Sequence, residues 1–345
     1  MTPAVVAEAF NFQSQACDSL GSPFMSQLMR LCARRTWPDC DVTRRVFGWQ
    51  GDLTPRGQSV PLRLAGALHA LVLQGHAGLA RVYPPVQADD ESLWQAVTGA
   101  LVEDGAAIDR WLDSAPQTNE VRRAATLIAV GHLLADRFNL PIRTSELGAS
   151  GGLNLHWDAY GLIAGDTRFG PDPAPLVLTP EWDGTLPPHT PPQIASRAGV
   201  DLNPLNPVDP ADALRLQAYL WPDQPYRLDL TRAAIATAST PVTRGDAIDW
   251  LARRLDHMEG QLHLIYSTVA WQYFPSDAQA RGAAMIAEAG AEATKDCPLA
   301  WFGMENDGSA PGAALTLRLW PGDLTLDLGR ADFHGRWIRW TGATL

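Results

Sequence analysis

The sequence predicts an α/β protein, a mostly parallel sheet closed by a terminal antiparallel hairpin and preceded by a helical cap. Three observations carry this expectation. Up to about residue 140 the apolar residues recur at helical spacing only, whereas from Pro141 onward short β-branched runs alternate with helical ones. The run Gln261-Leu-His-Leu-Ile-Tyr-Ser-Thr-Val-Ala270 is nearly continuously apolar, as a central parallel strand covered on both faces must be. Between two strand-like runs lies Pro171–Pro192 with eight prolines, which cannot be a regular helix. The expected division is a helical cap over 1–140 and an α/β domain over 141–345, with the proline-rich segment as an insertion at about 163–192.

Taken in order, helices are predicted over Ala4–Cys17, Pro23–Arg34, Pro61–Leu73, Leu93–Val102 and Ala106–Leu112, with Pro23 and Pro61 suited to a first turn. Trp37-Pro38, the segment from Gly48 to Gly57 and Tyr83-Pro-Pro85 interrupt them. Asn119 is the expected cap of a helix that runs to Phe138. A strand then ends near Glu146, a short helix covers Leu153–Tyr160, and Gln193–Pro204 reads as a strand and turn. Helices follow over Pro210–Tyr219 and Tyr226–Ala238, and another holds Ile248, Leu251 and Leu255. Beyond the 261–270 strand come a helix over Asp277–Glu292, a strand over Leu299–Met304, a pair Ala314–Trp320 and Leu324–Leu328 around Pro321-Gly-Asp323, and a last strand Trp337–Trp340.

Composition limits the function. The chain has 345 residues, 46% of them hydrophobic, enough to bury a large core. A formal charge of −11 argues against binding nucleic acid through a basic face. The N-terminus lacks a cationic and apolar leader, and no stretch is apolar enough to span a bilayer, so a cytoplasmic protein with no membrane partner is expected. Cys17, Cys32, Cys40 and Cys297 include no Cys-x-x-Cys pair, and the histidines show no metal-ligand spacing, so no metal site is expected.

The informative stretch is Thr144-Ser-Glu-Leu-Gly-Ala-Ser-Gly-Gly-Leu-Asn-Leu155, a strand that runs through glycines into a helix start. Such a turn presents unpaired backbone N–H groups to a nucleotide-like ligand, although a glycine turn is often only a tight turn. The dinucleotide pattern Gly-x-Gly-x-x-Gly is absent, because Ser150 stands where its second glycine belongs.

Glu146-x-Gly148-x-Ser150-x-Gly152 resembles the first motif of the class I S-adenosylmethionine-dependent methyltransferases. That resemblance implies a Rossmann-like sheet, S-adenosylmethionine as cofactor, and a small-molecule acceptor. It also implies cofactor-binding roles for Glu146, Gly148, Ser150, Gly152 and Asn154, for Asp201 at the ribose and for Asp246 at the adenine. Asp166 lies at the more usual separation for the ribose-binding acid, so both aspartates stay open. Gly21-Ser-Pro23, Gln117-Thr-Asn-Glu120, Glu146-Leu-Gly-Ala-Ser150, Trp271-Gln-Tyr273 and His334-Gly-Arg-Trp337 resemble, more closely, the motifs of a bacterial family known as domain of unknown function 2332.

For catalysis the candidates are Trp271 and Tyr273, just past a strand's carboxyl end where ligands bind, and Glu305 and His334 as general bases. Two other readings compete. Gly148-Ala-Ser-Gly-Gly152 also has the form of a hydrolase nucleophile elbow, with Asp246 and His334 in chain order behind Ser150. A scaffold that keeps the fold as a binding or regulatory module is the third reading.

Overall fold

Ile142–Leu147 (β1) carries four polar residues between Ile142 and Leu147, yet every one of its six positions is buried, because neighbouring strands flank it on both sides. The structure of the protein, a computed structural model, covers residues 2–342. The chain forms two compact units, Met1–Thr118 with Asp209–Asp229, and Asn119–Val208 with Leu230–Leu345.

The first unit is helical. Its helices include Ala4–Ser19, Pro23–Arg34, Val60–Leu73, Asp90–Glu103 and Gly105–Leu112, close to the predicted spans, and also Asp41–Phe47. The last is two turns long between Trp37-Pro38 and Gly48, too short for its periodicity to be read. The segment Asp209–Asp229 returns to this unit through specific contacts. Its Pro210–Ala218 helix leads to Tyr219, and a Cβ at Gly66 would lie 2.4 Å from the Tyr219 ring, so Gly66 makes room for that ring. Asp223 accepts hydrogen bonds from the Ser22 hydroxyl (2.6 Å) and the Phe24 N–H (3.0 Å), a carboxylate at the positive end of the Pro23–Arg34 helix.

The second unit contains the sheet. Its remaining strands are β2 (Gly161–Ala164), β3 (Thr167–Phe169), β4 (Val177–Leu178), β5 (Glu181–Gly184), β6 (Ile194–Asp201), β7 (Thr243–Arg244), β8 (Leu262–Thr268), β9 (Leu299–Glu305), β10 (Ala313–Trp320), β11 (Leu324–Ala331) and β12 (Trp337–Trp340). Nine of them form one sheet in the order β5-β12-β11-β10-β9-β8-β1-β6-β7. The run from β7 to β9 is parallel, β10, β11 and β12 pair antiparallel with their neighbours, and β5 pairs parallel with β12. The expected mixed α/β architecture with a large, mostly parallel sheet is therefore present. The proline-rich insertion supplies β4, which joins the β2–β3 hairpin in a separate three-stranded sheet, and β5 at the far edge of the main one.

Three local expectations change. The Ala124–Phe138 helix, read as the last of the helical segment up to 140, buries Ala124 through Ala135 without a break and belongs to the second unit, because periodicity does not say which core a helix joins. Asn119 does not cap that helix; its Oδ1 accepts the Leu153 N–H (2.9 Å), and the Glu120 carboxylate caps a 3-10 turn, Val121–Arg123, instead. The helix after β7 stops at Leu251, short of Leu255.

The Ser276–Glu292 helix packs through Gly282, Ile286 and Gly290. A Cβ at Gly290 would lie 2.4 Å from Cδ2 and Cε2 of the buried Trp320 indole. In an open helix Gly→Ala stabilises by about 1 kcal/mol, but Gly290→Ala should destabilise by about 1–3 kcal/mol through overpacking. Urea denaturation reads the sign, and a gain in stability would mean that the Trp320 contact is not tight.

Candidate functional site

The parallel strands reverse direction of travel between β1 and β8: from β1 the chain proceeds outward to β6 and β7, and from β8 to β9 on the other side. Ligands of such sheets sit beyond the carboxyl ends of the strands at this switch point. Two loops meet there, Gly148–Gly152 after β1 and Val269–Tyr273 after β8. Gly148 has φ +76°, and a Cβ on it would lie 2.5 Å from that of Ala270, so the glycine is what lets the loops approach. Ser150 and Val269 also hold left-handed backbone, φ 53° and 56°. For non-glycine residues that conformation costs energy, and it gathers at functional sites. Gly152 has an internal reason to be glycine, since a Cβ there would lie 2.8 Å from Val242 Cγ2.

The acidic residues take different roles in the structure. Glu146, 2% exposed, lies beneath the loop, where the Tyr266 hydroxyl donates to its Oε2 (3.3 Å) and to the Asn154 carbonyl (3.1 Å). Burial, opposed by the Tyr266 hydrogen bond, pushes its carboxyl up to about 8, so it is neutral at pH 7. Asp201, at the end of β6, accepts the Ser150 N–H on Oδ2 (2.8 Å) and the Asn203 N–H on Oδ1 (2.9 Å), fastening the glycine loop to the neighbouring strand. Asp246 caps the Ala247–Leu251 helix through the Ile248 and Asp249 N–H groups. Asp166 is exposed in the β2–β3 turn of the small sheet, so of the two alternatives only Asp201 touches the glycine loop.

Glu305, at the end of β9, accepts the Ala270 and Trp271 N–H groups on Oε1 (both 3.1 Å) and that of Gln272 on Oε2 (3.3 Å). Its carboxyl is raised by burial against those lowering hydrogen bonds, and it shapes the loop after β8. Trp271 packs against Phe274 and Trp301 beside the hydrophobic core, whereas Tyr273 is 75% exposed. His334 lies in the β11–β12 turn, where Asp332 accepts its N–H and holds Arg336 by backbone and guanidinium. Glu305 thus contacts the Trp271–Gln272 backbone, while Tyr273 and His334 belong to separate stretches of surface and turn.

Sequence reasoning missed Arg123 and Tyr266. Arg123 donates to the Phe333 carbonyl (2.8 Å) and the Thr268 carbonyl (3.0 Å), joining the His334 turn to the end of β8, and its charge acts on Glu146. The signal available was an arginine at a helix N-terminus, where the dipole disfavours it. Asn154 was singled out only as the end of the motif. It donates through Nδ2 to the Glu120 carbonyl (3.2 Å), while its buried Oδ1 has no hydrogen-bond partner among the described residues. In the first unit, His76, Glu103 and Asp104 approach one another as metal ligands would. His76 Nδ1 accepts the Leu79 N–H and Nε2 lies 3.0 Å from Asp104, so both ring nitrogens are already engaged.

Fold and site together define a mixed α/β protein with a glycine loop at the switch point of its sheet. The chain belongs to the bacterial family described as uncharacterized protein conserved in bacteria (DUF2332), which matches residues 7–340. No curated protein matches it. Among the described residues no helix is long and apolar enough to cross a membrane.

The state of Glu146 is testable. Its folded value near 8 lies above the ordinary 4.5, so its contribution to stability is complete below about 4.5 and is lost as the pH rises through 8. Relative to Glu146→Gln, the wild type should therefore lose melting temperature between pH 5 and 8.5. Parallel curves for the two proteins would show that Glu146 is already ionised when folded.

Proposed function

We propose that this protein binds S-adenosylmethionine at the Gly148–Gly152 loop and transfers its methyl group to a small-molecule acceptor. The single observation that supports the reading is the position of the Glu146-x-Gly-x-Ser-x-Gly loop at the switch point, with the acid at the end of the next parallel strand, Asp201, hydrogen-bonded to it.

The residues fit the cofactor unevenly. Asp201 uses one acceptor position per oxygen, and a carboxylate has about four, so ribose hydroxyls can join the two backbone N–H groups. Asp246 is half exposed and keeps acceptor capacity beyond its cap. Glu146 is sealed under the loop and supports it without facing a ligand. The sulfonium would bring both the methyl group and its leaving group, so the chain's part is to orient the acceptor and exclude water. Glu305, occupied by three N–H groups, serves that purpose by fixing the loop after β8 rather than as a base.

The hydrolase reading draws on one observation, the left-handed backbone of Ser150. His156, the nearest histidine in sequence, is spent elsewhere, on the Arg197 guanidinium and the Ser239 and Thr240 N–H groups.

S-adenosylmethionine or its demethylated product at a hundredfold excess over the dissociation constant should stabilise the fold by about 2.7 kcal/mol, a rise of several degrees in melting temperature. NAD should give none. Silence with both sulfur nucleosides would favour a non-catalytic module, and a shift with NAD alone would revive a dehydrogenase. Ser150→Ala should keep the shift, whereas a hydrolase would lose its esterase turnover entirely.

A further inference from the structure

A cavity of about 270 Å³ with no lining residue from the Gly148–Gly152 loop lies in the second unit, walled by the Ala124–Phe138 helix, the 3-10 segment Leu153–Ala159 and the proline-rich insertion. His132, Trp157 and Asp158 line it together with Pro171, Pro191 and Pro192. Each of the first three carries a buried polar atom without a hydrogen-bond partner among the described residues: His132 Nδ1, Trp157 Nε1 and Asp158 Oδ1. His132 and Trp157 are 4% and 0% exposed. Orphaned buried polar atoms are rare and costly, and three around one cavity point to something that completes them.

Their chemistry narrows what that is. The indole Nε1–H is a donor and Asp158 Oδ1 an acceptor. The Pro188 and Thr190 carbonyls act on the His132 ring as acceptors; with the ring proton on Nε2, the unpartnered Nδ1 presents a lone pair, and this is the tautomer taken here. Asp158 is already balanced, because its Oδ2 pairs with Arg197 at 3.0 Å. The lining therefore asks for two donors and one acceptor and for no added charge. A primary carboxamide has that set in one plane, whereas a cyclic amide has only one N–H, an ammonium adds an uncompensated charge and a carboxylate meets two acceptors. Proline rings and an indole suit a flat partner.

We propose that this cavity is a binding site for a small, planar, uncharged amide, an amide-bearing aromatic or heterocyclic ring, held by Trp157, His132 and Asp158. The inference does not depend on the function proposed for the glycine loop.

Benzamide, benzoate and benzylamine share a ring and differ only in the recognised group. Titrated into the full chain by calorimetry, benzamide should bind and the other two should not, and saturating S-adenosylhomocysteine should not displace it. Trp157→Phe removes the donor and His132→Phe removes the acceptor while keeping a ring against Phe169, 5.1 Å away. Each should weaken benzamide by about two- to tenfold, one lost hydrogen bond. The indole N–H resonance that vanishes in Trp157→Phe should move on benzamide addition. Should Trp157→Phe fail to fold, given the close packing of this indole under Gly131, the His132→Phe affinity carries the test. Preference for benzylamine or benzoate overturns the proposal, and so does silence with all three, which would leave a cavity that holds water only.

Discussion

The carboxylate of Asp201 fastens the centre of the second unit. It ends β6, yet one oxygen holds the Ser150 N–H of the loop that leaves β1, so the turn in which Gly148, Ser150 and Gly152 all adopt left-handed backbone is pinned to the strand beside it. A carboxyl group that accepts two loop N–H groups is suited to hold a strained turn. Glu305 repeats the device for the other loop, with one carboxylate gathering three successive N–H groups after β8. Between them, Gly148 and Ala270 come as near as a missing side chain allows.

Much of this could be read in the sequence, and the limits have physical causes. β12 was found at its true bounds and the other long strands to within a few residues, because full burial writes continuous apolar runs and a half-buried strand writes alternation. Asp201 and Glu305 stood out as acids at strand ends, but their partners did not, since a carboxylate that binds loop N–H groups and one that awaits a ligand have the same sequence. Asp246 shows the same ambiguity, serving here as a helix cap. Asn119 could not be read either. Its partner, the Leu153 N–H, lies 34 residues on, and a capping signal is local by construction.

Below the loops the unit keeps a polar interior. Ser145 and His263 share a buried hydrogen bond at 2.8 Å, with Arg254 donating to the same hydroxyl at 3.0 Å. Burial, with the neighbouring Arg143 and Arg254 charges, holds the His263 imidazole down to about 3, so the pair stays neutral. Beside Ser145, the next residue of β1, Glu146, is held neutral by burial, so the charge in this interior is carried by the arginines, Arg143 paired with Asp256.

The proline-rich insertion has its own geometric logic. β5 and β6 are seven strands apart in the sheet, roughly 34 Å at about 4.8 Å a step before twist draws the ends nearer. Only the segment from Gly184 to Ile194 joins them, ten residue steps that reach roughly 31 Å as a polyproline helix of about 3.1 Å per residue. The connection thus has little length to spare. Pro187, Pro188, Pro191 and Pro192 fix their own φ and favour the extension that this span asks for, which a flexible chain would rarely reach. What composition presents as an irregular loop is a member of fixed length, and the strand it carries to the far edge stays paired with β12 only while that length is kept.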